Sequence, residues 1–241
     1  MNKIKGVIFD LDDTLYDYKR ANQYAENCLA EYASARFAIS VVEFDKAFQQ
    51  GKEYTKKLLK EGAAQHSRLL YIQHALERLQ INPVGTAVEL ETAFWENFME
   101  AMELYKGSLV LLQKLRTLGI KIGICTDFTA EVQHTKLVRL GIADYVDALV
   151  TSEETGCEKP NALMFQLILK KLCLQNNEVL VIGDNWNKDI QGAAAIGIKS
   201  VWYQCEAEEK TCGADSILRI NSYTGKDLQL LMQAVTGGEV R

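Results

Sequence analysis

Near its start the chain places acidic residues directly after a short apolar run: Val7–Leu15 reads VIFDLDDTL. The run Val7–Phe9 is apolar at every position, which is typical of a strand buried on both faces of a parallel sheet. Residues two apart on an extended chain point to the same side, so Asp10 and Asp12 can face one centre while Leu11 faces away. Crowded carboxylates repel each other unless a cation relieves them. The pattern therefore indicates a site for a hard cation such as Mg²⁺, which prefers oxygen ligands.

A second interpretation of the same acids needs no ligand. Asp13 or Thr14 could cap the following helix, because short polar side chains accept hydrogen bonds from the first N–H groups of a helix. The motif alone leaves both interpretations open.

The remainder of the chain predicts an α/β protein. After residue 107, short β-branched runs alternate with amphipathic helical patterns, as in a parallel sheet with crossover helices. Gly119, Gly141 and Gly197 each follow a helical pattern and predict left-handed helix ends. The six predicted strands are Lys3–Phe9, Lys121–Cys125, Ala148–Thr151, Val179–Ile182, Ser200–Tyr203 and Ser216–Ile220.

Residues 17–106 follow a different pattern from the rest. They contain no convincing strand, and apolar residues recur at helical spacing over Ala21–Phe37, Val41–Leu59, Ala64–Leu79 and Val88–Leu104. Roughly ninety residues are too many for a loop. We therefore expect a helical bundle over 17–106, inserted into a core formed by 1–16 and 107–241.

Polar residues follow four of the predicted strands. Thr126 and Asp127 follow the second strand, Lys159 lies in the loop after the third, and Asp184 follows the fourth with Asp189 five residues later. Ligands of open α/β sheets bind beyond the carboxyl ends of the strands, so these residues are candidates for one site. Taken singly, Thr126 is typical of a turn, Lys159 of a solvated lysine, and the aspartates of a helix N-terminus.

Composition excludes several function classes. A net charge of −5 and a pI of about 5.4 argue against a protein that grips nucleic acid. Apolar runs are too short for a membrane helix. The six cysteines are scattered, and the three histidines lack zinc spacing. Scattered cysteines in a chain of 241 residues favour the reducing cytoplasm.

Four motifs together resemble those of haloacid dehalogenase superfamily hydrolases, and they stand in the same order. They are VIFDLDDTL (Val7–Leu15), ICTD (Ile124–Asp127), EKP (Glu158–Pro160) and VIGDNWNKDIQGA (Val181–Ala193). The resemblance implies a Rossmann-like three-layer core with a mainly parallel sheet and an α-helical cap inserted after the first motif. It further implies an Mg²⁺-dependent phosphatase that acts on a small phosphorylated metabolite.

The resemblance also implies roles for individual residues. Asp10 would be the nucleophile that forms an aspartyl-phosphate, and Asp12 the general acid and base. The phosphoryl group would be held by Thr126, Asp127 and Lys159. The metal would be held by Asp10, the main-chain carbonyl of Asp12, Asp184 and Asp189, the last as a ligand or as a partner of one.

Two positions depart from the family pattern. Asp127 and Lys188 stand where many relatives carry asparagine, and a carboxylate beside a phosphate site weakens anion binding unless it points away. These departures bear on substrate preference more than on the reaction.

Alternative functions on the same fold remain open at this point. Haloacid dehalogenases release halide, which leaves without a proton, and they typically lack the second aspartate; Asp12 therefore favours a phosphatase. A sugar-phosphate mutase shares Asp12. A module that binds a phosphorylated ligand or a metal without catalysis is the alternative outside enzymes. The sequence identifies neither the substrate nor the oligomeric state.

Overall fold

The computed structural model describes residues 3–60, 62–203 and 217–237. Contacts within the chain divide it into two compact units. One unit comprises Met1–Asp17 and Leu104–Arg241, and the other comprises Tyr18–Glu103. Every candidate site residue lies in the first unit, called the core unit below.

A six-stranded sheet forms the centre of the core unit. Its strands are β1 (Gly6–Phe9), β2 (Lys121–Thr126), β3 (Ala148–Thr151), β4 (Val179–Gly183), β5 (Lys199–Tyr203) and β6 (Leu218–Ile220). The order across the sheet is β3-β2-β1-β4-β5-β6, and every pairing is parallel. The predicted strands are confirmed within a few residues at each end; Ser216, at the predicted start of β6, lies outside the described residues.

Helices of the core unit cover the sheet. They are α5 (Ser108–Thr117), α6 (Ala130–Arg139), α7 (Ser152–Thr155), α8 (Ala162–Leu172), α9 (Gly192–Ala195) and α10 (Gly225–Thr236). Helix α8 packs on β2 and β3, and Ile8, Cys125 and Val181 share one apolar cluster with its buried side chains. Alternation along β2 turns Ile122 to the opposite face, where α5 packs. The predicted α/β class with a parallel sheet is confirmed.

Glycines end helices where predicted. Gly119, Gly141 and Gly197 have φ between 68° and 76°. The next residue returns a backbone N–H to the last helical turn: Ile120 donates to Leu115 O at 3.0 Å. This left-handed ending explains how each helix turns sharply back to the sheet.

The helices of the second unit are joined by short irregular segments, and its described residues contain no strand. Its α-helices are α1 (Tyr18–Phe37), α2 (Val41–Leu59), α3 (Arg68–Arg78) and α4 (Thr86–Ala101). Helix α1 packs against α4, and α2 packs against α3. The predicted helix Ala64–Leu79 is divided into a 3₁₀ turn, Ala63–His66, and α3, because Ser67 accepts a hydrogen bond from Leu70 N at 3.2 Å and caps a new helix.

Among the described residues we find no helix with the length and apolar composition that a membrane span requires.

Candidate active site

Strand register brings the predicted site residues to one edge of the sheet. Phe9 lies beside Ile124 of β2 and Ile182 of β4. The next residues along these three parallel strands therefore emerge together at the carboxyl edge. The strand order also reverses direction around β1, and such a switch point is where open α/β sheets bind ligands.

Three carboxylates and one ammonium group form the centre of this edge. Oxygens of Asp10, Asp184 and Asp189 lie within 4.8 Å of one another. Lys159 Nζ bridges two of them, with Asp10 Oδ1 at 2.7 Å and Asp189 Oδ1 at 2.6 Å. We call these four residues the acid cluster. Lys159 is 4% exposed, so the sequence-based alternative of a solvated lysine is wrong.

Negative charge exceeds positive charge in the acid cluster. Burial raises the pKa of Asp184 to about 6, and the charge of Asp189 adds to this effect against the attraction of Lys159. Burial likewise holds the pKa of Asp10 well above its usual value, with further repulsion from Asp189 and Asp184. Burial alone would lower the pKa of Lys159, but the charges of Asp10 and Asp189 raise it well above its usual value.

This excess makes the acid cluster fit a cation. A single ammonium group cannot neutralise three carboxylates, two of them buried and one partly buried, and repulsion from Asp189 adds to the effect of burial on the pKa of Asp184. The available donors are carboxylate oxygens, which suit a hard divalent ion. Asp10, Asp184 and Asp189 could therefore hold a metal ion.

The position of Asp189 depends on a glycine in β4. A Cβ atom at Gly183 would lie 2.3 Å from Asp189 Cγ, so only glycine leaves room for this carboxylate. Asp189 belongs to a π-helical turn, Trp186–Gln191, and its Oδ2 accepts a hydrogen bond from Asn185 N at 3.0 Å. π-Helical turns occur often at functional sites.

Neighbouring groups fix Asp184 from the other side. Its N–H donates to Thr14 Oγ1 at 3.1 Å, and Trp202 Nε1 donates to its main-chain oxygen at 2.8 Å. Tyr223, which is fully buried, donates to Thr14 O at 3.0 Å. Thr14 thus connects the first motif to the fourth, and the following helix, α1, begins only at Tyr18.

Asp12 lies apart from the acid cluster and has its own partners. Lys136 Nζ contacts both of its carboxylate oxygens, at 2.7 and 3.0 Å. Tyr16 donates its hydroxyl proton to Asp12 Oδ1 at 2.5 Å, and Gln133 Nε2 lies 3.4 Å from Oδ2. The side chain of Asp12 is not part of the group of acids that could hold a metal.

Thr126 and Asp127 connect this region to Lys159. The Thr126 hydroxyl accepts a hydrogen bond from Gln133 Nε2 at 2.7 Å. Asp127 Oδ1 accepts from Lys159 N at 3.0 Å, and its Oδ2 accepts from Lys188 Nζ at 2.6 Å. The carboxylate of Asp127 is therefore turned toward one backbone N–H and one cation, so the two departures from the family pattern, Asp127 and Lys188, are paired with each other.

Two residues that contact the predicted site escaped the sequence analysis: Gln133 and Lys136. Gln133 and Lys136 stand three residues apart on α6 and are both completely buried. Their spacing on one helical face is a signal, but polar residues at such positions usually face solvent. Only the fold shows that this face meets Asp12.

Comparison with known proteins gives the family of the chain. Residues 4–197 match the family model described as haloacid dehalogenase-like hydrolase. A ribulose-1,5-bisphosphate 5-phosphatase of Halopiger xanaduensis is 38% identical over 213 residues, which cover 87% of this chain and 89% of that protein. A glyceraldehyde 3-phosphate phosphatase of Methanopyrus kandleri is 31% identical over 200 residues, which cover 82% of this chain and 83% of that protein.

Solved structures agree at the level of the fold. A 2-haloacid dehalogenase of Pseudomonas syringae matches with a TM-score of 0.73 and 23% identity, over 98% of this chain and 100% of that one. This likeness shows a shared fold and does not identify a reaction. The family model spans most of the chain, and the two curated phosphatases are matched along most of their own length. The chain therefore belongs to the haloacid dehalogenase-like hydrolases, and it groups with the phosphatases of that family.

Proposed function

We propose that this protein is an Mg²⁺-dependent phosphomonoester hydrolase that works through a phosphorylated Asp10. The observation that supports this most directly is the acid cluster, in which Lys159 Nζ lies 2.7 Å from Asp10 Oδ1 and two further carboxylates stand close by. These groups would supply a nucleophile, a fixed cation for phosphoryl oxygens and oxygen donors for a metal at one edge of the sheet.

The first step joins Asp10 to the substrate. A carboxylate oxygen of Asp10 attacks phosphorus, and the bond from phosphorus to the ester oxygen breaks with its electron pair left on that oxygen. Asp12, protonated in the complex with substrate, supplies this proton to the departing oxygen, which leaves as an alcohol. Lys159 and Thr126 hold phosphoryl oxygens and offset the charge that develops on them.

The second step releases phosphate. Asp12, now a carboxylate, takes a proton from a water molecule that attacks phosphorus, and the bond from phosphorus to Asp10 breaks. Both side chains return to their starting protonation states. Mg²⁺, held by Asp10, Asp184 and Asp189 with the main-chain carbonyl of Asp12, would offset the repulsion between an anionic nucleophile and an anionic substrate.

Asp12 also argues against a dehalogenase. A halide ion is a stable anion and leaves without a proton, whereas an alkoxide needs an acid. Here three hydrogen-bond donors, from Lys136, Tyr16 and Gln133, fix the position of the Asp12 carboxylate.

We further propose that the substrate is a small sugar phosphate, esterified at a terminal carbon. The named substrates of the two relatives, ribulose 1,5-bisphosphate and glyceraldehyde 3-phosphate, both carry such a group. A cytoplasmic location is consistent with the cysteines of the described residues, Cys28, Cys125, Cys157 and Cys173, which are all free thiols.

A phosphate-release assay tests the proposal. Purified protein is incubated with glyceraldehyde 3-phosphate, ribulose 1,5-bisphosphate and p-nitrophenyl phosphate, each with Mg²⁺ or with EDTA. We expect phosphate release in Mg²⁺, none in EDTA, and at least a 10⁴-fold loss in Asp10→Asn, on the scale that follows removal of a nucleophile. Release of chloride from 2-chloropropionate without phosphatase activity would instead identify a dehalogenase.

A further inference from the structure

Helix α6 sends a charged side chain into the interior of the core unit. Lys136 is completely buried, and its Nζ lies 4.7 Å from the centre of the Phe128 ring and 5.8 Å from that of Tyr16. Aromatic faces attract a cation but replace only part of its hydration. The burial of an ammonium group is costly unless an anion accompanies it.

The accompanying anion is Asp12, 124 residues away in the sequence. The ammonium group contacts both carboxylate oxygens at 2.7 and 3.0 Å, so it fixes the plane of the carboxylate as well as its position. Tyr16 adds a second donor to Oδ1 at 2.5 Å. The ammonium group of Lys136 and the hydroxyl group of Tyr16 therefore both donate to the same oxygen of Asp12, Oδ1.

Gln133 connects this arrangement to the predicted phosphoryl site. Its Nε2 donates to Thr126 Oγ1 at 2.7 Å and to Asp127 O at 2.8 Å, and it lies 3.4 Å from Asp12 Oδ2. Gln133 is completely buried and stands one helical turn before Lys136. One face of α6 therefore fixes both the acid and the hydroxyl group that would hold phosphate.

We propose that Lys136 is the positioning residue for Asp12, and that it holds this side chain outside the acid cluster and in reach of the ester oxygen of the substrate. The proposal rests on the phosphatase function given above. In this role Lys136, which is completely buried, acts on the reaction through Asp12. Without it, Asp12 could turn toward the acid cluster or toward water and would deliver its proton poorly.

Leaving-group dependence separates this role from a structural one. The p-nitrophenolate ion leaves without a proton, whereas the alkoxide of glyceraldehyde 3-phosphate needs one. Lys136→Met is expected to lower kcat for glyceraldehyde 3-phosphate about 100-fold, within the range of general acid catalysis, and kcat for p-nitrophenyl phosphate less than about fivefold. Asp12→Asn should give the same selective loss, and the double variant Asp12→Asn/Lys136→Met should lose no more than Asp12→Asn alone.

A matched control is available in the same unit. Lys5 forms an exposed pair with Glu178, and Lys5→Met should leave kcat for both substrates unchanged. If Lys136→Met fails to fold, Tyr16→Phe removes one hydroxyl donor from Asp12 without leaving a buried charge, and it should show the same preference for p-nitrophenyl phosphate to a smaller extent. Far-UV circular dichroism and Mg²⁺ affinity verify the fold of each variant.

The outcomes are distinguishable. Equal loss on both substrates in folded Lys136→Met, or multiplicative loss in the double variant, would overturn the positioning role while leaving the phosphatase function intact. Absence of phosphate release from every ester by the wild-type protein would overturn the function itself.

Discussion

Two buried lysines serve the same edge of the sheet in opposite electrostatic settings. Lys159 faces three carboxylates and leaves an excess of negative charge, whereas Lys136 faces the single carboxylate of Asp12 and is matched by it. In the first arrangement the carboxylates outnumber the ammonium group, whereas in the second one ammonium group meets one carboxylate. Under the proposed function, the first lysine would help to hold charged ligands and the second would hold a side chain in place.

The largest expected effect follows removal of the cation from the acid cluster. Lys159→Met leaves Asp10 and Asp189 buried without their common partner, and breaking a buried pair on one side costs about 3–5 kcal/mol. We expect the free energy of unfolding to fall by about this amount in EDTA, as measured by urea denaturation. In Mg²⁺ part of the stability should return, but phosphate release should not.

An exposed pair provides the comparison for that variant. Lys171 contacts Glu154 at 2.7 Å, with both side chains about one third exposed. Lys171→Met should change the free energy of unfolding by less than about 1 kcal/mol, because solvent screens such pairs. If Lys159→Met and Lys171→Met lower the free energy of unfolding equally, burial does not make the ion pairs of the acid cluster stronger than a surface pair.

The second prediction concerns the space that holds Asp189. Gly183→Ala places a Cβ atom 2.3 Å from Asp189 Cγ, so the carboxylate must move away from Lys159. We expect a loss of about 3 kcal/mol from overpacking and at least a tenfold weaker affinity for Mg²⁺ by titration calorimetry. Gly123→Ala is the control, since its Cβ would meet only Leu172 and Ile168 side chains at 3.0–3.2 Å. Unchanged Mg²⁺ affinity in Gly183→Ala would remove Asp189 from the metal site.

Much of the fold and part of the candidate site can be predicted from local sequence patterns. The strands, the left-handed helix ends and the edge that gathers Asp10, Asp184 and Lys159 follow from local patterns, because apolar runs and turn glycines act over a few residues. The order of the strands then brings these residues together at the carboxyl edge of the sheet. The division of the helix predicted over Ala64–Leu79 was missed, since apolar spacing continues across Ser67 and hides the cap.

Partnerships between distant residues could not be predicted in the same way. Lys136 is buried only because Asp12 meets it from 124 residues away, and a helical pattern alone assigns such a lysine to solvent. The carboxylate of Asp127 likewise depends on Lys188, 61 residues later. The sequence marked Asp127 and Lys188 as unusual but could not show that they explain each other.

The third prediction tests the excess of negative charge in the acid cluster by measuring stability as a function of pH. Burial raises the pKa of Asp184 from 3.8 to about 6, so the folded protein binds more protons than the unfolded chain between these values. Stability from this group is therefore present at low pH and is lost as pH rises from about 4 to about 6. In EDTA we expect a loss of about 2 kcal/mol over this window, measured by urea denaturation.

Two variants of the experiment isolate the group. Asp184→Asn should remove this part of the pH dependence, and Mg²⁺ should reduce it in the wild-type protein because a bound cation favours the carboxylate. Asp10 acts in the same direction, since burial holds its pKa well above the usual value. An identical pH dependence in wild type, Asp184→Asn and the Mg²⁺-loaded protein would contradict the charge excess in the acid cluster.

The smallest expected effect concerns the ion pair of Asp127 with Lys188. Asp127 holds Lys159 by its backbone N–H at 3.0 Å, and Lys188 Nζ contacts both Asp127 at 2.6 Å and Glu158 at 3.1 Å. Lys188 is one third exposed, so its pair is screened more than the acid cluster. Lys188→Met should cost about 1 kcal/mol of stability.

A double-variant cycle decides what this pair does. If the pair serves to hold Lys159 in position, Asp127→Asn should raise KM for glyceraldehyde 3-phosphate a few-fold, and Lys188→Met should add little in that background. The coupling follows because the carboxylate of Asp127 joins Lys188 Nζ to the backbone N–H of Lys159, and in the Asp127→Asn background only the contact of Lys188 with Glu158 remains of its two acidic contacts. Independent effects of the two substitutions on KM would instead mean that Lys188 meets the substrate directly, and the charge of Asp127 would then serve to restrain a ligand-binding lysine.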